Sequence, residues 1–157
     1  MPANEPNITE EKLVEQQALA YLQNREYTPL LLQRKLQQKG FSMTLIQLSL
    51  QRLSEKGWLS EARFTEGWLA QRLRQGYGPV RIEMELRQQG VTEPTIKDQF
   101  TEISEARWLD SLGKALQRKF PTSSTQTTLT LQQTKYLHYR GFTREQIKAY
   151  MQSDNKA

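Results

Sequence analysis

Three glycines, Gly40, Gly90 and Gly141, stand 50 and 51 residues apart, each inside the same apolar pattern. Leu36, Leu86 and Leu137 lie four residues before them, and Phe41, Val91 and Phe142 follow directly. Ile46, Ile96 and Ile147 come six residues after the glycines, and Leu50, Phe100 and Met151 ten after. Self-similarity at such a period is the mark of stacked supersecondary units, none large enough to bury its own apolar face. The chain therefore reads as a repeat protein, and its function belongs on a surface rather than in a pocket.

Within one period the signals are helical. Leu13, Val14, Ala18, Leu19, Tyr21 and Leu22 form a 3.6-residue stripe behind Thr9, a candidate cap. Thr28 followed by Pro29 starts a second helix, because proline at the first helical position lacks only an N–H that would be unpaired anyway. Gly40 stands where a left-handed residue closes it, and Ser42 or Thr44 opens a third helix bearing Leu45, Ile46, Leu50 and Leu53. In the second period Pro79 takes the place of Pro29. Val80, Ile82, Met84 and Leu86 alternate like a strand, but Ile82 and Leu86 align with Leu32 and Leu36, so the segment is assigned as helix with Val80 and Met84 semi-exposed or packed on a neighbouring repeat.

The third period is looser. Glu105–Phe120 reads as a helix, Pro121–Thr128 as a mobile polar loop, Leu129–His138 as the next helix, and Thr143 with Gln146 as a capping box for the last. Thr128-Leu129-Thr130 replaces the Tyr-x-Pro entry of the other repeats, and Gln133 replaces Leu32 and Ile82, which predicts weaker packing there. The expected organisation is an all-α, elongated array of three tandem three-helix repeats at 10–57, 58–104 and 105–152, with a disordered segment over 1–9 and a tail over 153–157. Gly40, Gly90, Gly141, Pro29 and Pro79 are its structural residues. Trp58, Trp68 and Trp108 are expected in the core.

With 36% hydrophobic residues and a mean hydropathy of -0.76, the chain has little material for one thick core. It has no cysteine, so no disulfide framework, thiol nucleophile or cysteine-ligated metal is expected. His138 is the single histidine, and it reads as a surface or packing residue. The Gly76-Tyr77-Gly78-Pro79 segment lacks the lysine of a phosphate cradle. Neither catalytic residues, nor a metal site, nor a cofactor is expected. No signal peptide or membrane span is read, so the expectation is a cytoplasmic monomer without membrane contact.

The charge is unevenly placed. Residues 1–62 hold seven Lys/Arg and seven Asp/Glu, whereas residues 63–157 hold fifteen and ten, so the net +5 belongs to the last two repeats. Clustered arginine with interleaved tyrosine suits carboxylate or phosphate partners. The candidate partner-binding residues are Arg63, Arg72, Arg74, Tyr77, Arg81 and Arg87 in the second repeat, with Arg118, Lys119, Lys135, Arg140 and Arg144 in the third. Arg107, Lys114, Tyr136 and Tyr139 lie among them, and inter-helix packing is the plainer role for the tyrosines.

These residues carry a family likeness. Gly57-Trp58-Leu59-Ser60-Glu61-Ala62-Arg63-Phe64, Gly76-Tyr77-Gly78-Pro79-Val80-Arg81-Ile82, Leu86-Arg87-Gln88-Gln89-Gly90-Val91 and Tyr139-Arg140-Gly141-Phe142, in that order, resemble the RecX family of bacterial recombination regulators over roughly residues 12–152. The resemblance implies three three-helix repeats and a negative regulator of the RecA recombinase. It further implies docking in the groove of the RecA filament on DNA, with suppression of filament growth, ATP hydrolysis, strand exchange and co-protease activity. The expected partner is the RecA filament, with single- or double-stranded DNA reached through it. A helix-turn-helix-like basic DNA-binding protein is the alternative, since short helices, glycine turns and a basic excess fit that class too. A purely structural helical scaffold is a third.

Overall fold

The computed structural model describes residues 5–121 and 128–154. Those residues form nine α-helices and no strand: α1 (Glu5–Asn24), α2 (Pro29–Gln38), α3 (Met43–Glu55), α4 (Glu61–Arg74), α5 (Pro79–Gln88), α6 (Glu93–Thr101), α7 (Glu105–Lys119), α8 (Leu131–Tyr139) and α9 (Arg144–Asp154). Their order follows the period, three helices to each glycine. α1 begins at Glu5, so no cap at Thr9 is needed and residues 5–9 of the expected disordered segment are helical. Residues 1–4, most of the expected 121–128 loop and the end of the expected tail lie outside the described residues.

Helix boundaries follow local chemistry. The Thr28 and Ser42 hydroxyls accept from Leu31 N and Leu45 N at the starts of α2 and α3, and Thr143 and Gln146 exchange bonds with each other's backbone at the start of α9. Each middle helix closes on a left-handed glycine, with φ of 91° at Gly40, 91° at Gly90 and 100° at Gly141. At two of them the next N–H reaches back five residues, Phe41 to Leu36 O and Phe142 to Leu137 O, which satisfies carbonyls the helix end would leave bare.

α8 shows why its sequence departs from the repeat. It starts at Leu131, not Leu129, behind Thr130, whose hydroxyl accepts from Gln133 N while Gln133 Oε1 accepts from Thr130 N. Gln133 is buried although it replaces an apolar residue, because its amide is used in that capping box. The lost proline entry is thus made good by a different start signal.

Packing divides the chain into two compact units, residues 1–64 with 89–91, and residues 65–88 with 92–157. In the first, Val14, Ala18, Leu32, Leu36, Ile46, Leu50, Leu53 and Leu59 make the core. Segment 89–91 belongs there: the buried Thr28 hydroxyl donates to Gln89 O at 2.6 Å, and a Cβ on Gly90 would lie 2.6 Å from Leu30 Cβ. In the second, Leu112, Ala115, Leu116, Leu137, Phe142 and Ile147 cluster, and Ile82 and Leu86 are fully buried. Val80 and Met84 point outward, which resolves the strand-like alternation as a helix with two apolar sides. Of the tryptophans, Trp108 is buried and Trp68 half-buried. Trp58 is not core: it is half exposed, with the Lys56 ammonium 5.5 Å from its ring centroid.

Candidate partner-binding surface

The Gly76–Pro79 loop, which links α4 to α5, is held by close backbone approaches. Gly76 has a φ of 81°, and a Cβ on it would lie 3.1 Å from the Ala115 backbone of α7. Ser111, one turn earlier on α7, donates its hydroxyl to Tyr77 O at 2.9 Å. On the other side Gly78 N donates to Arg140 O at 2.8 Å and Val80 N to Gly141 O at 3.0 Å. A Cβ on Gly78 would sit 2.4 Å from the Gly141 carbonyl carbon, and one on Gly141 would sit 2.5 Å from Arg81 Cβ. The two glycine motifs are thus two halves of one joint, 63 residues apart in sequence and touching through bare backbone.

Three arginines surround the Tyr77 ring in this joint. The Arg140 guanidinium stacks 3.7 Å from the ring centroid, while Arg81 and Arg72 stand at 4.8 and 5.0 Å. Arg140 Nε also donates to Gly76 O at 3.1 Å and its Nη2 donates to Gln75 O, so a cation caps the carbonyls just beyond the end of α4, where the helix dipole favours positive charge. Arg72 Nε donates to Glu85 Oε1 at 2.9 Å and Nη1 to Gln75 Oε1 at 2.7 Å, and its guanidinium lies 4.9 Å from the Trp68 ring. The Trp68 indole N–H donates to the same Glu85 oxygen at 3.1 Å.

Arg81 pairs with Glu85 at 3.6 Å and lies 5.3 Å from the Tyr139 ring. Its pKa is raised above the ordinary guanidinium value, first by the Tyr139 side chain and then by Tyr77 and Glu85, against the opposing cost of desolvation. Glu85 is thus the hub for two arginines and an indole. Each guanidinium over a ring contributes about 0.5–2 kcal/mol. Three guanidiniums against this one carboxylate leave the joint electropositive.

The eleven candidate residues fall into distinct environments. Arg72, Tyr77, Arg81 and Arg140 meet in the joint, and Arg118 borders it by donating to Arg74 O at 2.7 Å. Lys119 lies 5.9 Å from the Tyr136 ring. Arg63 and Arg87 do not join them. Arg63 donates to Gly57 O and Trp58 O and grips both Glu26 oxygens at 3.2 Å, tying down the end of α3. Arg87 is held between Glu83 and Glu93; its pKa is raised and that of Glu93 lowered, chiefly by the hydrogen bond between them. Arg74, Lys135 and Arg144 are exposed and make no ion pair among the described residues.

Sequence reasoning passed over Trp68, Glu85 and Ser111 as parts of this surface. Glu85 had a legible signal, its i,i+4 spacing from Arg81; Ser111 had none, because its partner is a backbone carbonyl 34 residues away. His138 is exposed and places Nδ1 3.2 Å from Phe142 O. Among the described residues no group of three His, Asp or Glu is placed to hold a metal, and no helix is long and apolar enough to cross a membrane.

The family model described as RecX, second three-helix domain, matches residues 60–98, a span that contains Arg63, Arg72, Tyr77, Arg81 and Glu85. The regulatory protein RecX of Pseudomonas putida (strain W619) is 39% identical over 135 residues, 85% of this chain and 86% of the relative. That of Pseudomonas entomophila (strain L48) is 42% identical over the same shares. In fold the chain is similar to the crystal structure of RecX from Lactobacillus salivarius, with a TM-score of 0.78 at 14% identity over 96% of this chain and 99% of that one. A second crystal structure, of a regulatory protein RecX, gives a TM-score of 0.79 at 15% identity over 96% of this chain and 79% of the other.

Proposed function

The chain belongs to the RecX family, and from that premise we propose that it is a negative regulator of the RecA recombinase. It docks in the groove of the RecA–DNA filament and suppresses filament growth, ATP hydrolysis, strand exchange and co-protease activity. The observation that carries this reading is the family likeness itself, which spans 85% of the chain. The exposed cations Arg74, Lys135 and Arg144 support it, because they are free to meet acidic protein surface or DNA phosphate. Regulation of this kind needs no catalysis. A binder whose affinity differs between filament states shifts the population toward the state it favours.

The experiment is a titration of this protein into RecA assembled on single-stranded DNA, read as ATP hydrolysis. In parallel, binding is measured to filaments formed with a nonhydrolysable nucleotide, to bare DNA and to free RecA. Inhibition, together with much tighter binding to filaments than to either component, is the expected result. Unchanged hydrolysis with sequence-preferring duplex binding and a steep salt dependence would instead establish the helix-turn-helix-like DNA reader.

A further inference from the structure

We infer that the outward edge of α5 and the end of α8, formed by Val80, Met84 and Tyr139, is an apolar docking face for a protein surface with an acidic rim. This deepens the reading above and rests on it: the partner is a RecA subunit of the filament rather than the DNA the filament carries.

The repeats supply an internal control. Counting back from the closing glycines, Met84 corresponds to Arg34 and Lys135, and Tyr139 corresponds to Gln38 and Gln88; all four equivalents are polar and exposed. Of the counterparts of Val80, Leu30 in the first repeat is half-buried against Gly90, whereas Leu131 in the third is itself 71% exposed. Val80 by contrast is 57% exposed, Met84 49% and Tyr139 69%. At Met84 and Tyr139 the second and third repeats have therefore placed apolar bulk in water where their counterparts keep polar groups, and Val80 adds to it an apolar side chain that its first-repeat counterpart keeps half-buried.

The backbones that carry Val80 and Tyr139 lie together. Val80 N bonds to Gly141 O at 3.0 Å, two residues past Tyr139, and the Arg81 guanidinium lies 5.3 Å from the Tyr139 ring. Val80 and Met84 are one turn apart on α5, so they share a side. Single exposed apolar residues are ordinary, but a contiguous set is the usual mark of a protein contact.

Charge and chemistry select the occupant. Lys135, one turn before Tyr139 on α8, is exposed and makes no ion pair among the described residues, so the edge beside Tyr139 carries a free cation. Aliphatic side chains at 80 and 84 neither pair with phosphate nor stack on bases, whereas a nucleic-acid groove carries cations at such positions. The arginines most suggestive of partner contact, Arg72 and Arg140, are spent on Glu85 and on main-chain carbonyls. They shape the joint that presents the face.

The test combines Val80→Ser, Met84→Gln and Tyr139→Gln, with Leu13→Gln, an exposed leucine of α1, as control. The side chains replaced are exposed, so helical content should match that of the parent, and the thermal midpoint should fall by no more than a few degrees, for the one contact Tyr139 makes with Arg81. Affinity for RecA filaments should fall about tenfold or more, with the salt dependence and bare-DNA binding retained, while the control binds like the parent. Unaltered filament affinity of the triple variant, with the parent binding well, overturns the face and leaves the regulatory reading standing. An equal loss on bare DNA overturns it in favour of a nucleic-acid surface. Failure of the parent to bind filaments overturns both.

Discussion

Replacing Gly78 by alanine should destabilise the second unit more than any other glycine change of its kind that leaves backbone conformation unstrained. Gly78 does not have a left-handed φ, so alanine meets no conformational penalty there; the difficulty is space. The added Cβ would lie 2.4 Å from Gly141 C and 2.5 Å from both Gly141 O and Phe142 N. Non-bonded carbons settle near 3.5 Å or beyond, so the two strands of backbone must part by about 1 Å. That opening takes the bonds from Gly78 N to Arg140 O and from Val80 N to Gly141 O, now 2.8 and 3.0 Å, past useful length. Losing both costs about 1 kcal/mol each, and the displaced packing about 1 kcal/mol more, a total of about 3 kcal/mol. Gly40→Ala is the control. Its φ is 91° but its Cβ would meet nothing within 4 Å, so only the left-handed penalty of about 1–2 kcal/mol applies. At about 2–4 °C per kcal/mol, thermal unfolding followed by circular dichroism should show a fall of about 6–12 °C for Gly78→Ala and about one-third to two-thirds of that for Gly40→Ala. Equal midpoints for the two variants would refute the argument that backbone contact, rather than turn geometry, requires the second glycine of this motif.

Arg140→Lys should cost nearly as much as Arg140→Ala, about 1–3 kcal/mol by denaturant unfolding, because an ammonium cannot both stack flat on Tyr77 and fork to the carbonyls of Gln75 and Gly76. Thr28→Val keeps the volume of a fully buried side chain but removes the cap on Leu31 N and the bond to Gln89 O; a loss of about 2 kcal/mol is expected, with faster amide exchange at Leu31. Glu85→Leu should destabilise by about 2–3 kcal/mol, since it leaves Arg72, Arg81 and the Trp68 indole without their common acceptor; tryptophan fluorescence will report the change. Charge reversal of Arg74, Lys135 and Arg144 together should leave the unfolding midpoint within a few degrees yet weaken filament binding most at low salt, which a salt titration of affinity checks.

Helices, caps and the repeat were legible because they are local. Gly40, Gly90 and Gly141 close helices by their own φ, Thr28 and Ser42 cap within three residues, and Leu32, Leu36, Ile82 and Leu86 fall on buried faces through a 3.6-residue spacing. Even Gln133, which broke the apolar register, did so for a local reason that its spacing from Thr130 expresses.

The arginines were not separable by the same means. Arg63, Arg72, Arg74, Arg81 and Arg140 look alike in sequence, yet one caps α3, three grip a tyrosine in a joint, and one is left to solvent. Which is which depends on approaches between segments about 60 residues apart, such as Gly78 against Arg140 and Gly141, and chain pattern carries no measure of those distances. Sequence alone determined the nine-helix periodicity and the glycine turns, since hydrogen bonding and side-chain period act over a few residues. Tertiary structure alone decided that the basic cluster is partly internal architecture and that Val80, Met84 and Tyr139 are left exposed, because burial and ion pairing are settled only when distant backbone segments meet.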